Sequence, residues 1–381
     1  MNNQRTIRGL ALILAGLLSL SGCSGTEAKD AQQTQQLEGL TYEDTLPLEY
    51  ASCFTVDRYQ EGHRLIRVEG GRSYLVVPEG GAVPAGAEDC VILQQPLDRV
   101  YLAATSAMAL VCAADGLDAI RLSGSRQESW TMEEPVWAME EGDLLYAGKY
   151  SEPDYELLLS EGCDLAIEST MILHSPQVQE KLEELGIPVF IDRSSYEPHP
   201  LGRTEWIKVY GVLLDREEEA DAFFRQQSAL LQDLEDFPNT EKTVAFFYIT
   251  GRGAVSVRKS QDYLATMIQL AGGRYIFPDL GADESSKTSS MTMTMEDFYA
   301  GARDADILIY NASIDTPVET VSQLLEKSEL LADFKAVQEG RVWCTEKSLY
   351  QATDSLGGII RDLHTILTDG DRELTYFHSL S

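Results

Sequence analysis

From Arg99 to Ser195 short continuous apolar runs alternate with amphipathic segments, and this rhythm limits the fold more than any other feature of the chain. RVYLAATS, AIRLSGS, CDLAIEST and IPVFIDRSS read as strands, whereas AMALVCAADG, EPVWAMEEG, PDYELLLSEG and SPQVQEKLEELG carry helical spacing. Strands that are apolar throughout need cover on both faces, which is the condition of a parallel sheet whose strands are joined by crossover helices. The same rhythm returns in TVAFFYITG, DYLATMIQLAGG, EDFYAGARDA, DILIYNAS, VSQLLEKSELLADFKAVQEG and RVWCTE, with a helical end from Ser355 to Leu367. Two α/β lobes are therefore expected. Between them Thr204–Leu214 and Asp215–Phe237 are helical without an intervening strand. Asp215 followed by Glu218 resembles a capping box, and Pro238 is a stop, so the reading is one helix of about 22 residues, roughly 33 Å long.

Ahead of the first lobe, CFTVDRY, HRLIRVE and RSYLVVP alternate with period two and are separated by Gly-containing turns, which predicts a β-meander. At the N-terminus Arg5 and Arg8 precede the apolar run Gly9–Leu20. That run is shorter than the roughly 20 residues of a spanning helix and reads as an export signal. It ends in Leu20-Ser21-Gly22-Cys23, which looks like a lipobox with Cys23 as the lipidated residue. Ser24–Gln36 has almost no apolar side chains and reads as a tether. The expected organisation is a signal peptide at 1–22, a lipid-anchored tether at 23–40, a lobe with the meander at 41–203, a helical connection at 204–238 and a second lobe at 239–381. The protein is expected to be extracytoplasmic, lipid-anchored to the cell membrane.

With 30 Lys and Arg against 62 Asp and Glu, the formal charge is −32. Phosphate backbones would repel such a chain, so nucleic acid is not an expected partner. Apart from Cys23, five cysteines remain (Cys53, Cys90, Cys112, Cys163, Cys344), with no C-x-x-C pair. This supports neither a disulfide framework nor a thiolate metal site. There is no G-x-S-x-G, P-loop or H-E-x-x-H motif, and Gly251-Arg252-Gly253 is only a fragment of a dinucleotide fingerprint. No catalytic residue and no cofactor are expected.

In open α/β sheets ligands bind beyond the carboxyl ends of the strands. In the first lobe those positions are Thr105-Ser106, Ser123-Gly124, Ser169–Met171 with His174, and Arg193–His199; in the second they are Thr250–Lys259, Asn311–Ser313 and Glu346–Tyr350. Arg252, Arg258 and Lys259 concentrate positive charge in a very acidic chain, and guanidinium clamps carboxylate or catecholate oxygens in pairs. An anionic metal chelate is the expected ligand, with Arg193, Tyr196 and His199 facing those cations and Arg126 at a remote position. Tyr248, Tyr310 and Trp343 belong more naturally to the core, although Tyr310 stays among the ligand candidates. Met291, Met293 and Met295 read as packing residues. Two other readings use His174 and His199 with Glu168 and Glu197. One is a receptor for bare Zn or Mn. The other is an exported chelatase or hydrolase with Glu168 or Glu197 as base beside His174.

Several segments together carry a resemblance: Leu20-Ser21-Gly22-Cys23, Ala147–Tyr150, Pro153–Glu156, Gly162–Ser169, Gly186–Val189, Ser194–Trp206 and Ala271-Gly272-Gly273. In this order the chain resembles the extracytoplasmic solute-binding lipoproteins of ABC importers for ferric siderophores, haem and cobalamin. The resemblance implies two Rossmann-like lobes joined by a rigid helix, a ligand cleft between them, and an ABC permease with its ATPase as partners. It also implies docking on that permease through one exposed Glu per lobe; Glu156 and Glu296 stand at the matching positions.

Overall fold

Alternation along the first strands produces a five-stranded sheet of β1 (Tyr42–Thr45), β2 (Phe54–Tyr59), β3 (Arg64–Val68), β4 (Ser73–Val77) and β5 (Cys90–Gln94). The expected meander is β2–β4. The strand β1 extends it antiparallel, and β5 adds in parallel to β4. The computed structural model describes residues 37–234, 237–282 and 288–380. The signal segment, Cys23 and the tether up to residue 36 lie outside the described residues. One face of the sheet (Phe54, Val56, Ile66, Tyr74, Val76) packs into the main core of the first lobe, and the other (Leu65, Leu75, Val77) is covered by Leu37 and Ala87.

The first lobe continues through β6 (Val100–Leu102), α1 (Met108–Ala113), β7 (Ile120–Ser123), α2 (Glu133–Glu141), β8 (Leu145–Tyr146), a small hairpin β9 (Gly148–Lys149) and β10 (Glu152–Pro153), α3 (Tyr155–Ser160), β11 (Leu165–Ser169), α4 (Pro176–Glu184) and β12 (Val189–Asp192). Its sheet has the order β12-β11-β6-β7-β8 and is parallel throughout. Strand order therefore reverses at β6, leaving a crevice beyond the carboxyl ends of β6 and β11. Leu158, Val178 and Leu182 from α3 and α4 cover one face, while the N-terminal sheet and α1 cover the other.

The connection differs from the expected single helix. It consists of α5 (Pro200–Glu205), α6 (Ile207–Leu214) and α7 (Glu217–Ala229), followed by a short 3-10 turn. Asp215 does not open a long helix: it closes α6 in the left-handed region at φ 58°. The Arg216 carbonyl lies where a Cβ on Gly211 would stand 2.9 Å from it, so the chain folds back onto α6 there. Burial gives the reason for the break. All eight residues of α6 are buried, whereas α7 buries only Ala220 and Phe224, so one straight helix would not suit both environments.

The second lobe comprises β13 (Thr243–Ile249), β14 (Val255–Arg258), α8 (Tyr263–Leu270), β15 (Arg274–Tyr275), β16 (Ser290–Met293), α9 (Met295–Ala302), β17 (Ile307–Tyr310), α10 (Val321–Lys327), α11 (Lys335–Gln338), β18 (Val342–Thr345), α12 (Leu356–Thr368) and β19 (Phe377–Ser379). Its sheet runs β16-β14-β13-β17-β18-β19, with β15 also on β13; β13, β17 and β18 are mutually parallel. α8 and α12 cover one face, and α9 and α11 the other. Among the described residues the five cysteines form no disulfide.

Candidate ligand cleft

The stretch Glu197–Trp206 joins the parts that border the cleft. Glu197 is buried, and its carboxylate accepts from Ser52 N (2.9 Å), Ser52 Oγ (3.0 Å), Cys53 N (2.8 Å) and Trp206 Nε1 (2.9 Å). Glu205, wholly buried, accepts from the backbone N–H groups of Glu49, Tyr50 and Ala51 and from Lys208 Nζ at 2.9 Å. Gly202 lets this segment pass, because a Cβ there would stand 3.1 Å from the Tyr50 carbonyl oxygen. Arg203 donates to Ser195 O at 2.6 Å and lies 3.7 Å over the Tyr263 ring of the second lobe. With every strong acceptor of Glu197 engaged, it is not available as a general base, and that part of the enzyme reading is corrected.

His199 is also withdrawn from the cleft. It caps α5, its Nδ1 accepting from Leu201 N at 3.2 Å, and its ring stacks on Tyr50 with centroids 4.5 Å apart. Burial lowers its pKa, so the imidazole stays neutral, with the proton on Nε2. Its ring lines a separate cavity of about 350 Å³ with Leu231, Phe237 and Gln269.

Beyond the carboxyl ends of the first-lobe strands, Ser123 Oγ accepts from Ser125 N and donates to Ser125 O, and Ser125 Oγ meets Thr105 Oγ1 at 3.2 Å. This braced turn presents Arg126, whose guanidinium lies 4.3 Å over the Tyr146 ring at the end of β8. Arg126 is thus not remote but part of the cleft rim. Its signal was faint: it stands three residues past the end of β7, and its partner strand β8 has only two residues. Arg193 sits after β12, 4.8 Å over the Tyr196 ring, and donates to Gly70 O at 2.8 Å, tying the β3–β4 turn to this edge. Beneath it Asp192 is buried, accepting from Ser194 and Tyr210; burial pushes its carboxyl up against those bonds. Met171, Leu173 and Tyr196 are exposed along the same edge, and His174 is exposed beside them. Glu168, one residue from the end of β11, is fully buried with no partner for either oxygen.

In the second lobe Arg252 is exposed at the tip of the turn between β13 and β14. Arg258 lines a recess with Tyr248, Ser256, Asn311 and Ile314, donates to Ser289 Oγ at 3.2 Å and lies 3.9 Å from Asp262. Burial raises the pKa of Asp262, and Arg258 opposes that. Lys259 is buried, its stem against Gly281. Tyr310 is a correction among the ligand candidates: it is fully buried, donating its hydroxyl to Asp315 at 2.5 Å. Trp343 is half-buried in β18, and Met293 and Met295 pack on the second-lobe core that includes Phe298. Ile314, which the sequence did not single out, is exposed beyond β17, and Tyr350, at the end of the expected Glu346–Tyr350 stretch, is exposed beyond β18. The strand ends of the two lobes therefore combine guanidinium groups with exposed rings and apolar side chains.

Among the described residues no group of three His, Cys, Asp or Glu side chains converges as a metal site. Glu156 and Glu296 are exposed in the first turns of α3 and α9, and neither carboxylate is engaged among the described residues. Each helix precedes a parallel strand and runs against it, so these first turns lie toward the carboxyl ends of the sheets. Among the described residues no helix is long and apolar enough to cross a membrane.

Comparison with known proteins bears on this arrangement. Residues 128–349 match the model of a family described as periplasmic binding protein. A lipoprotein of Methanocaldococcus jannaschii is 28% identical over 319 residues, covering 78% of this chain and 72% of that one. Among solved structures, the periplasmic haem-binding protein HutB of Vibrio cholerae is similar with TM-score 0.57 and 17% identity, over 71% of this chain and 98% of that one. The periplasmic vitamin B12-binding protein BtuF of the same organism is similar with TM-score 0.51 and 16% identity, over 73% and 99%.

Proposed function

The chain belongs to the periplasmic binding protein family, and we propose that it is the solute-binding component of an ABC importer that captures an anionic iron chelate. A ferric siderophore is the first choice of ligand, with haem or cobalamin as alternatives. The observation that carries this reading is the rim of the cleft: Arg126 and Arg193 stacked on tyrosines in one lobe, Arg252 and Arg258 in the other, in a chain of formal charge −32. Cations gathered at the strand ends of so acidic a molecule favour an anionic ligand, and Tyr196 and Tyr350 offer faces for stacking. The haem- and B12-binding proteins of similar fold support a large metal complex as the ligand class. In this reading Cys23 carries the lipid anchor outside the cytoplasmic membrane, and Glu156 and Glu296 meet arginines of the permease.

Titration of intrinsic tryptophan fluorescence with a panel of ferric siderophores, haemin and cyanocobalamin tests the ligand class. Arg126→Ala with Arg193→Ala is expected to weaken binding of the quenching chelate at least about tenfold, roughly 1.4 kcal/mol. Arg99→Ala, at the amino-terminal end of β6, is the control and should change it less than about twofold. Equal losses from both would sink the assignment. For delivery, Glu156→Ala with Glu296→Ala should lower uptake about tenfold or more while leaving solution affinity unchanged, since unpairing a permease arginine at an interface costs several kcal/mol. Normal transport by the double variant would remove these residues from docking.

A further inference from the structure

Gln351 follows the exposed Tyr350 at the carboxyl end of β18, yet its own side chain is buried. Its amide crosses from the second lobe to the first. Oε1 accepts from Thr131 N at 2.9 Å and from Thr131 Oγ1 at 2.8 Å, and Nε2 donates to Ser129 O at 2.7 Å. The amide therefore pairs with the backbone at residues 129–131 much as a neighbouring strand would, using both its donor and its acceptor. On the first-lobe side this backbone is firm, because Trp130 between the two contacts is buried in the main core. Three residues upstream of Ser129 stands Arg126 on the cleft rim. A bond from the connecting segment, Thr204 Oγ1 of α5 to Thr353 O at 2.9 Å, lies two residues beyond Gln351.

We infer that Gln351 is a positioning residue: its amide clamps the Arg126 turn to the Tyr350 turn and so sets the spacing of the two cleft walls before any ligand arrives. The clamp bears on each wall within three residues of its rim side chain, so a change in spacing has to break it or bend a turn already braced by Ser123, Ser125 and Thr105. A neutral amide suits the site for an electrostatic reason. Glu134 and Asp354 line the same inter-lobe cavity of about 370 Å³, so a carboxylate at this position would add a third negative charge and face the Ser129 carbonyl. The inference goes beyond the proposed function and does not depend on the identity of the ligand.

The test uses the full chain without ligand. Nitroxide amino acids incorporated at the exposed positions Glu140 and Glu339 report the distance between the lobes by pulsed electron resonance. Wild type is expected to give one narrow distribution. Gln351→Met, which keeps the volume and loses all three bonds, should broaden it, with thermal unfolding shifted by no more than a few degrees. Gln351→Glu should be broad at pH 8 and narrow again near pH 4, because a protonated carboxyl restores a donor toward Ser129 O and an acceptor toward Thr131 N. Hydrogen exchange of the Thr131 amide should rise at least tenfold in Gln351→Met. A wild-type distribution in Gln351→Met would overturn the proposal even if Thr131 exchange rises, since the amide would then be a local fastening only. So would a Gln351→Glu distribution that follows Gln351→Met at every pH. If Gln351→Met fails to fold, the pH response of Gln351→Glu alone decides.

Discussion

Replacing Glu205 with Ala is expected to lower the free energy of unfolding by about 4 kcal/mol. The carboxylate is fully buried and gathers three consecutive backbone N–H groups, those of Glu49, Tyr50 and Ala51, into one anion-binding nest. It also neutralises Lys208, itself buried, whose ammonium donates to Pro47 O at 3.1 Å and lies 4.7 Å from the Phe224 ring centre. Truncation leaves the three backbone donors without an acceptor and leaves the buried Lys208 with only the Pro47 carbonyl and the partly exposed Asp221 carboxylate at 3.8 Å, which is why breaking such a pair costs more than forming it gains. Glu205→Gln keeps one carbonyl oxygen but turns an amide N–H toward other donors and leaves Lys208 with Asp221 at 3.8 Å as its nearest remaining carboxylate, so about half that loss is expected. Urea unfolding with an unchanged m-value measures both. A loss under about 1 kcal/mol for Glu205→Ala would mean that residues 49–51 find other partners and that the nest does not hold the N-terminal sheet.

The lobe pattern was legible because apolar strands and amphipathic helices differ in period, and burial follows that period directly: β11, β12 and β17 stand where CDLAIEST, IPVFIDRSS and DILIYNAS are continuous. What the chain hid is of two kinds. Breaks in helix direction depend on tertiary surroundings, and the sequence from Asp215 onward is as helical as any, yet Asp215 turns left-handed because α6 is enclosed and α7 is not. Contacts over long separation leave no local trace. Glu197 read as a candidate base or metal neighbour and Glu205 only as part of the Ser194–Trp206 resemblance, while their partners at residues 49–53 lie about 150 positions away. Among the candidate site residues, Arg193, Tyr196, Arg252 and Arg258 were read as strand-end positions and stand past their strands, whereas Tyr310, read within its strand as more naturally core but kept as a candidate, faces the core. Chemistry alone did not separate them, because which face of β17 the residue occupies decides the matter.

Glu168 predicts an effect of the opposite sign to Glu205. Burial alone pushes its carboxyl from the ordinary 4.5 to about 8, and neither oxygen has a hydrogen-bond partner. It faces Tyr101 and Tyr155, whose hydroxyls are themselves held protonated, mainly by burial and next by the nearby carboxyl. With the folded value above the unfolded one, the protonated acid is tolerated at low pH. From pH 4.5 upward the unfolded chain releases this proton while the folded chain keeps it. Stability therefore falls by about 1.4 kcal/mol per pH unit until the folded group also titrates near 8, a total approaching about 5 kcal/mol. Glu168→Gln is expected to match wild type within about 1 kcal/mol at pH 4.5 and to exceed it by about 3 kcal/mol or more at pH 8.5, part of the gain being spent on a buried amide with no partner. Unfolding free energies across that range check it, and parallel pH profiles for the two proteins would refute it. The strand end that carries Glu168 continues directly into Ser169 and the turn bearing Met171 and Leu173 on the cleft rim. In wild type the first signs of alkaline weakening should thus be faster amide exchange from residue 168 to 174, and Glu168→Gln should suppress it.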